Sequence, residues 1–284
     1  MLFPHPKNKN ESIKFEDGKF INQNNVKEQF SVLEYSKNLK GWNNDLTEIK
    51  NSHTNKNHPI DKSSVELCLY NLKKIYNQKK QTILEIGCLN DEILQKILNY
   101  QNFSYIGSDA TSEHIYSLSK KFPKIPFLVF DILQNPFNEN ICDCLIMLNV
   151  LEHIEDDEKA LNEAYKLLNH EGILIIEVPA VKFLYDEYDK KLLHYRRYSS
   201  KEIKDKILNA GFKIQSETYL GFFCFPLFAI VKIINKFFKT KNIIDRQTKL
   251  SNNFLLKILF KIEMKLKWIS FPFGIRKVIC AKKL

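Results

Sequence analysis

With 284 residues, 44 % of them hydrophobic, the chain is long enough to bury the core of one large α/β domain and carry an appended element. Its six cysteines (Cys68, Cys88, Cys142, Cys144, Cys224 and Cys280) lie in apolar surroundings without a CxxC pair, and its seven histidines lack HxxxH-type spacing. This speaks against a disulfide framework, gives no signal for a metal site and points to a reducing compartment. The formal charge of +10 is concentrated at one end: from Tyr219 onward there are fourteen Lys/Arg against two acids, whereas the first 218 residues carry 29 against 31. The N-terminus has no apolar core of the signal-peptide kind, so a cytoplasmic protein is expected.

Residues 1–60 are polar and Asn-rich, with isolated apolar clusters such as Phe30–Tyr35, and read as a partly ordered cap. Residues 61–284 read as the main domain. Within Ser63–Tyr76, Val65, Leu67, Leu69, Leu72 and Ile75 recur close to helical spacing, with Asp61 or Ser63 as the N-cap. Thr82–Gly87 predicts the first strand and Asp91–Leu98 a helix; Tyr105–Ser108, Phe127–Phe130, Cys144–Leu148 and Ile173–Val178 predict further strands. Helices over Glu113–Lys121 and Glu158–Leu168 separate them, and a helix over Lys201–Asn209, stopped by Gly211, leads to a strand from Lys213 to about Tyr219. Lys277–Lys283 alternates apolar and basic residues and returns as a last strand. This rhythm predicts a Rossmann-like α/β fold with a mostly parallel seven-stranded sheet and helices on both faces. Right-handed crossovers then put the C-terminal ends of the strands on one edge, where ligands bind.

The residues at that edge carry the chemistry. The first strand ends in Leu84-Glu85-Ile86-Gly87-Cys88, leaving a glycine at a tight turn where backbone N–H groups are expected to face a ligand. Asp109 ends the second strand 22 residues beyond Gly87, near the spacing at which a strand-end carboxylate accepts hydrogen bonds from ribose hydroxyls. Asp131 ends the third strand in the same way. Each acid taken alone is equally a turn former or a helix cap.

In this order LEIGC, YIGSD, LVFDI, LIMLNVLEHI, LNHEGILIIEVPA and LYDEYDKKLLHYRRYSSKEI resemble the successive motifs of class I S-adenosylmethionine-dependent methyltransferases, over about residues 55–235. They are most similar to a bacterial subgroup often encoded beside, or fused to, glycosyltransferases. The resemblance implies S-adenosylmethionine as cofactor, with Glu85 and Gly87 bordering its methionine part, Asp109 its ribose hydroxyls and Asp131 its adenine amino group. Asn149, at the end of the fourth strand, would lie below the sulfonium. The chain departs from the family's GxGxG loop, because Leu89 and Asp91 replace the second and third glycines. Asp91 would repel the methionine carboxylate unless it or Asn90 caps the following helix. A non-catalytic relative serving as a binding or scaffolding module is therefore the second reading. An NAD-dependent oxidoreductase is disfavoured, since GxGxxG is absent.

An oxygen acceptor of high pKa needs a general base. His194, in His194-Tyr195-Arg196-Arg197-Tyr198, is the first candidate, its two neighbouring cations being expected to keep it neutral; His153, just after the fourth strand, is the second. Arg196 and Arg197 offer forked donors to phosphate or carboxylate, or pair with Asp186, Glu187 and Asp189. Tyr185 and Tyr188 offer faces for stacking on a sugar ring.

Leu220–Val231 is a twelve-residue apolar run broken by Pro226 and closed by Lys232, shorter than the about 20 residues that span a bilayer. After it, Leu227, Ile230, Val231, Ile234 and Phe238 are expected on one helix face and Lys232, Lys236 and Lys239 on the other. A second segment sets Lys257, Lys261 and Lys265 opposite Leu255, Ile258, Leu259, Ile262 and Leu266. This amphipathic section, about 221–270, reads as an insertion lying on an anionic membrane surface or packed on the domain. Nucleic acid is disfavoured because the aromatics cluster in the apolar run and lysine outnumbers arginine. Together these features lead to an expected methyl transfer to a sugar or lipid-linked glycan intermediate at the inner face of the membrane, with a glycosyltransferase as partner.

Overall fold

The computed structural model describes residues 2–8, 10–26, 28–36, 58–75, 79–89, 91–137, 140–238 and 254–284, the side chains of 235–238 excepted. Two sheets organise them. The first is antiparallel, with β1 (Leu2–Pro4), β2 (Ser12–Glu16), β3 (Lys19–Asn22) and β4 (Gln29–Phe30) in sequential order. Its central hairpin turns through Asp17 and Gly18, both at positive φ, as a two-residue turn requires to match the twist of its strands. Phe3, Ile13 and Phe20 are buried in the same core as Leu84, Ile106 and Leu145 of the main sheet. The described residues up to 36 thus pack into the main core, and the rest of the expected cap, 37–57, lies outside the described residues.

The main sheet follows the expected order of elements. β5 (Leu33–Glu34) is a two-residue edge strand; the helix α1 (Pro59–Ile75) precedes β6 (Gln81–Ile86), α2 (Glu92–Ile97), β7 (Phe103–Asp109), α3 (Ser112–Lys121), β8 (Phe127–Val129) and β9 (Cys142–Leu148). α4 (Asp157–Leu167), β10 (Leu168–Pro179), α5 (Glu187–Lys191), α6 (Ser200–Asn209) and β11 (Phe212–Leu220) follow. The basic section contributes α7 (Phe225–Phe238) and α8 (Phe254–Lys265), and β12 (Arg276–Lys283) closes the chain. The strand order is β11-β12-β10-β9-β6-β7-β8-β5, with β12 antiparallel between β10 and β11 and the strands from β10 to β5 parallel. The seven expected strands are present, and β5 adds an eighth at the edge.

β6, β9 and β10 are buried along most of their length because helices and the N-terminal sheet cover both faces, which is why their sequences run apolar instead of alternating. α1 begins at Pro59, four residues before the expected start: proline suits the first helical position, and the His58 ring, not Asp61 or Ser63, accepts the Ile60 N–H at 3.2 Å. α8 lies over α1, with Phe260 and Met264 buried against Ile60, Leu67 and Leu220.

The amphipathic assignment of α7 is corrected at one position. Lys232, expected on the solvent face, is 2 % exposed, whereas Leu227, Ile230 and Ile234 are exposed. Its ammonium is drawn inward by two carboxylates, described below. On α8 Lys257, Lys261 and Lys265 are exposed as expected, but so are Phe254, Ile258 and Ile262 in the adjoining row. Asn90, Lys239 and the side chains of Lys236 and Phe238 lie outside the described residues.

Because Phe20 is fully buried beneath the N-terminal sheet yet within the main core, Phe20→Ala should lower global stability by about 3–5 kcal/mol, with a single urea transition. A variant that loses only the N-terminal sheet, in a separate early transition, would contradict the shared core.

Candidate cofactor and acceptor site

The register of the parallel strands sets the site. Ile86 lies opposite Ser108 and Met147, so Gly87, Asp109 and Leu148 come out on one edge. Over that edge lies a cavity of about 320 Å³, lined at its floor by Glu85, Gly87, Leu89, Leu148 and Asn149. Its roof is the basic section, through Leu227, Phe228, Val231 and Lys232 of α7 and Leu256 and Phe260 of α8.

Gly87 has φ +82°, and a Cβ there would stand 2.4 Å from Val150 Cγ2, so this turn admits glycine alone. The N–H groups of Gly87 and Cys88 do not face the cavity; both donate to the Ser108 carbonyl, at 2.9 and 3.0 Å, continuing the β6–β7 ladder past its end. Glu85 is fully buried and accepts the Tyr105 hydroxyl at 2.6 Å; burial pushes its carboxyl up to about 7, with Tyr105 opposing and Asp109 adding to the rise. Asn149 adopts φ 53°, and its amide donates to Glu177 Oε1 at 2.7 Å.

The replaced glycines do not fill the hollow. Asp91 turns to Lys121 and Gln95; burial raises its pKa, but those partners outweigh it and hold the carboxyl below its ordinary value. It starts α2 without a side-chain capping bond, and Leu89 forms part of the cavity wall. Among the described residues of the loop, Leu89 thus leaves the cavity open and the Asp91 carboxylate is turned away from it. Asp109 ends β7 as expected, Asp131 lies two residues past the end of β8, and neither lines the cavity. Asp109 accepts the N–H and hydroxyl of Thr111, at 2.8 and 2.9 Å, with His114 at 3.5 Å; burial raises its pKa, and these groups more than reverse that. Asp131 accepts the Leu133 N–H at 2.9 Å.

On the acceptor side, the turn Leu151–His153 after β9 and the loop after α5 meet. Tyr195 N–H donates to the Glu152 carbonyl at 2.8 Å, and the rings of His153 and His194 lie 4.6 Å apart, edge to face. His194 Nδ1 is 3.0 Å from Asp189 Oδ1, so the charge bonded to the ring is a carboxylate, not the arginines beside it in sequence. Arg197 Nε–H is shared between the two oxygens of Asp189, at 2.9 Å each, and Nη1 donates to the Ala180 carbonyl. Lys232 reaches Asp186 at 2.6 Å and Asp189 at 2.8 Å. Burial raises the pKa of Asp189, but His194, Arg197 and Lys232 together hold it well below the usual carboxylate range.

Of the expected acceptor contacts, Tyr188 and Arg197 line the cavity and Tyr185 and Arg196 do not. Arg196 pairs with Asp157 at 2.8 Å, because its loop folds back over the start of α4; the Tyr185 hydroxyl donates to the His194 carbonyl at 2.7 Å. A polar cluster that the motifs did not reveal lines the opposite wall. Arg276 bonds Asp61, Ser64 and Glu177 at 2.8, 2.9 and 2.9 Å, and Ser64 also donates to Glu177 at 2.8 Å. The one signal for it was an acid, Glu177, inside the apolar run of β10.

Residues 84–176, about a third of the chain, match a family model described as a methyltransferase domain. An uncharacterized protein of Methanocaldococcus jannaschii is 31 % identical over 150 residues, half of this chain and 60 % of that protein, so the chain spans less than two thirds of this relative's length. Among solved structures, a Galdieria sulphuraria protein described as a sarcosine dimethylglycine methyltransferase superposes with a TM-score of 0.56 at 12 % identity, covering 84 % of this chain and 97 % of that one. An S-adenosylmethionine-dependent methyltransferase of Thermotoga maritima gives 0.53 at 18 % identity, covering 84 % and 98 %. The cyclase SpnF gives 0.50 at 15 % identity over 76 % and 80 %. These likenesses establish the Rossmann-like class I methyltransferase fold; the cyclase shows that the fold alone does not fix a reaction. The domain match, to a model described as a methyltransferase domain, points the same way for residues 84–176.

An acid whose folded pKa is raised costs no stability while protonated in both states, and the cost grows as pH rises from its ordinary value near 4.5 to about 7. Between pH 5 and pH 8 the wild type should therefore lose up to about 3 kcal/mol more than Glu85→Gln, measured by urea unfolding. Equal losses in both proteins would mean that Glu85 ionises freely.

Proposed function

We propose that this protein transfers a methyl group from S-adenosylmethionine to an oxygen of a sugar or lipid-linked glycan intermediate at an anionic membrane surface. The observation that carries this reading is the construction of one cavity from two sources: a strand edge with Glu85, Gly87 and Asn149 below, and Glu152, His194 and the apolar faces of α7 and α8 around the acceptor end. The cofactor supplies an electrophilic methyl group on a sulfonium. Transfer is an in-line displacement, so the chain's task is to align the acceptor oxygen, exclude water and take up a proton.

Glu85 and Gly87 are our candidates for the methionine part, Asn149 for the place below the sulfonium, and Asp109 for the ribose hydroxyls, for which Thr111 or His114 has to yield a bond. Asp131 is the candidate for the adenine end. His194, oriented by Asp189, is the group we assign to the acceptor's proton, with His153 beside it. Tyr188 and Arg197 supply wall contacts. Tyr185 and Arg196 serve by holding the loop.

The apolar roof suits an acceptor with a hydrocarbon portion. The outer surfaces of the same helices expose Ile230, Ile234, Phe254, Ile258 and Ile262 beside a row of three lysines, as an interfacial element needs. Among the described residues no helix is long and apolar enough to cross a membrane. A glycosyltransferase acting on the same intermediate is the partner this reading expects.

Calorimetry should show S-adenosylmethionine binding to the wild type, and to His194→Ala with affinity within about threefold, while turnover in that variant falls by at least 10²-fold. Absence of binding at millimolar ligand would leave the non-catalytic binding protein as the better reading. In flotation assays, vesicles containing anionic lipid should carry the protein, and the association should weaken with salt; flotation on neutral lipid alone, or none, would remove the membrane from the proposal.

A further inference from the structure

Three side chains at the acceptor end converge from two separate loops. Glu152 and His153 come from the turn after β9 and His194 from the loop after α5; one ligand atom from each lies within 4.8 Å of the other two. Glu152 is 0 % exposed, and Glu152 and His194 line the cavity. The Tyr195 N–H to Glu152 carbonyl bond ties the loops at this point. His194 Nδ1 lies 3.0 Å from Asp189 Oδ1, the carboxylate–histidine pairing that orients metal-bound imidazoles.

The geometry points to a divalent-cation site formed by Glu152, His153 and His194, with its open coordination positions directed to the cavity. Two imidazoles and one carboxylate select a borderline transition ion such as Zn²⁺ or Mn²⁺ over Ca²⁺ or Mg²⁺, which favour oxygen cages. Bonds of ~2.1 Å require donor separations of roughly 3–3.6 Å, so the side chains draw in by about an ångström. Three protein ligands with a vacant position is the arrangement of catalytic, not structural, sites.

This inference rests on the methyl-transfer reading and deepens it. A cation here lowers the pKa of an acceptor hydroxyl that reaches it. The hydroxyl proton passes to solvent, the oxygen forms the new bond to the methyl carbon, and the carbon–sulfur bonding pair stays on sulfur. With the cation bound His194 acts as a ligand; without it the same imidazole takes the proton itself. No HxxxH-type spacing marks the site, because the third ligand lies 41 residues beyond His153, in a different loop.

The test uses tag-free full-length protein stripped with a chelator. Mn²⁺ binding followed by electron paramagnetic resonance, and Zn²⁺ binding by calorimetry, should each give one saturable site at micromolar or lower Kd, and the cation should raise the Tm of the wild type. Glu152→Gln and His153→Gln should weaken binding at least tenfold while His5→Ala, in a separate His5–Glu11–Glu28 cluster, leaves it unchanged. No saturable binding to the wild type, or binding lost only in His5→Ala, would overturn the site. If the protein shows no saturable cation binding yet binds S-adenosylmethionine and methylates, the site falls and the methyl-transfer reading stands. If the cation binds and S-adenosylmethionine does not, the reverse holds.

Discussion

The carboxylate of Asp189, fully buried on a five-residue helix, organises the acceptor half of the molecule. A lone carboxylate in that position would be costly, and it is tolerated because Arg197, Lys232 and His194 meet it from three directions while it also accepts the Asp186 N–H. Lys232 comes from α7, whereas Arg197 and His194 lie three residues apart in the loop after α5. The lid helix α7, the loop that follows β10 and the imidazole beside the acceptor are therefore held as one unit, and removing any partner leaves a buried charge uncompensated.

This unit faces a second anchored wall. Glu177, 1 % exposed in the middle of an apolar strand, gathers Asn149, Ser64 and Arg276, so the end of β9, the first turn of α1 and the last strand are fixed together. Between the two walls lies the cavity. The strand edge supplies the part of the site common to this fold, and the helices of the basic section supply what is particular to this chain: an apolar roof whose other side is studded with lysines. Binding of a nucleotide-like cofactor and choice of acceptor are thereby assigned to different layers of the structure.

How far the sequence could be read depended on the range of the interaction. Apolar runs such as Ile83–Ile86 and Leu145–Leu148 reveal strands because burial on both faces needs no partner to be known. The Asp17-Gly18 hairpin carries a local turn signal that the reading of a polar cap passed over. Asp109 was placed correctly at its strand end, yet its oxygens are spent on Thr111 and His114, two and five residues away, which spacing along the chain does not disclose. Lys232 read as a solvent-facing lysine because helical periodicity counts it as polar, while Asp186 and Asp189, more than forty residues earlier, turn it inward.

By itself the sequence determined the alternation of strands and helices, the edge on which glycine and acids accumulate, and the segregation of positive charge to the last quarter of the chain. Those properties follow from local periodicity and from the handedness of parallel crossovers. Only the tertiary structure decided which side chains share a cavity: Arg276 with Asp61, Glu152 with His194, Phe228 with Asn149. The reason is that burying a charged or polar group demands a partner, and the partner is chosen by proximity in space, which folding creates between segments that composition and spacing treat as unrelated.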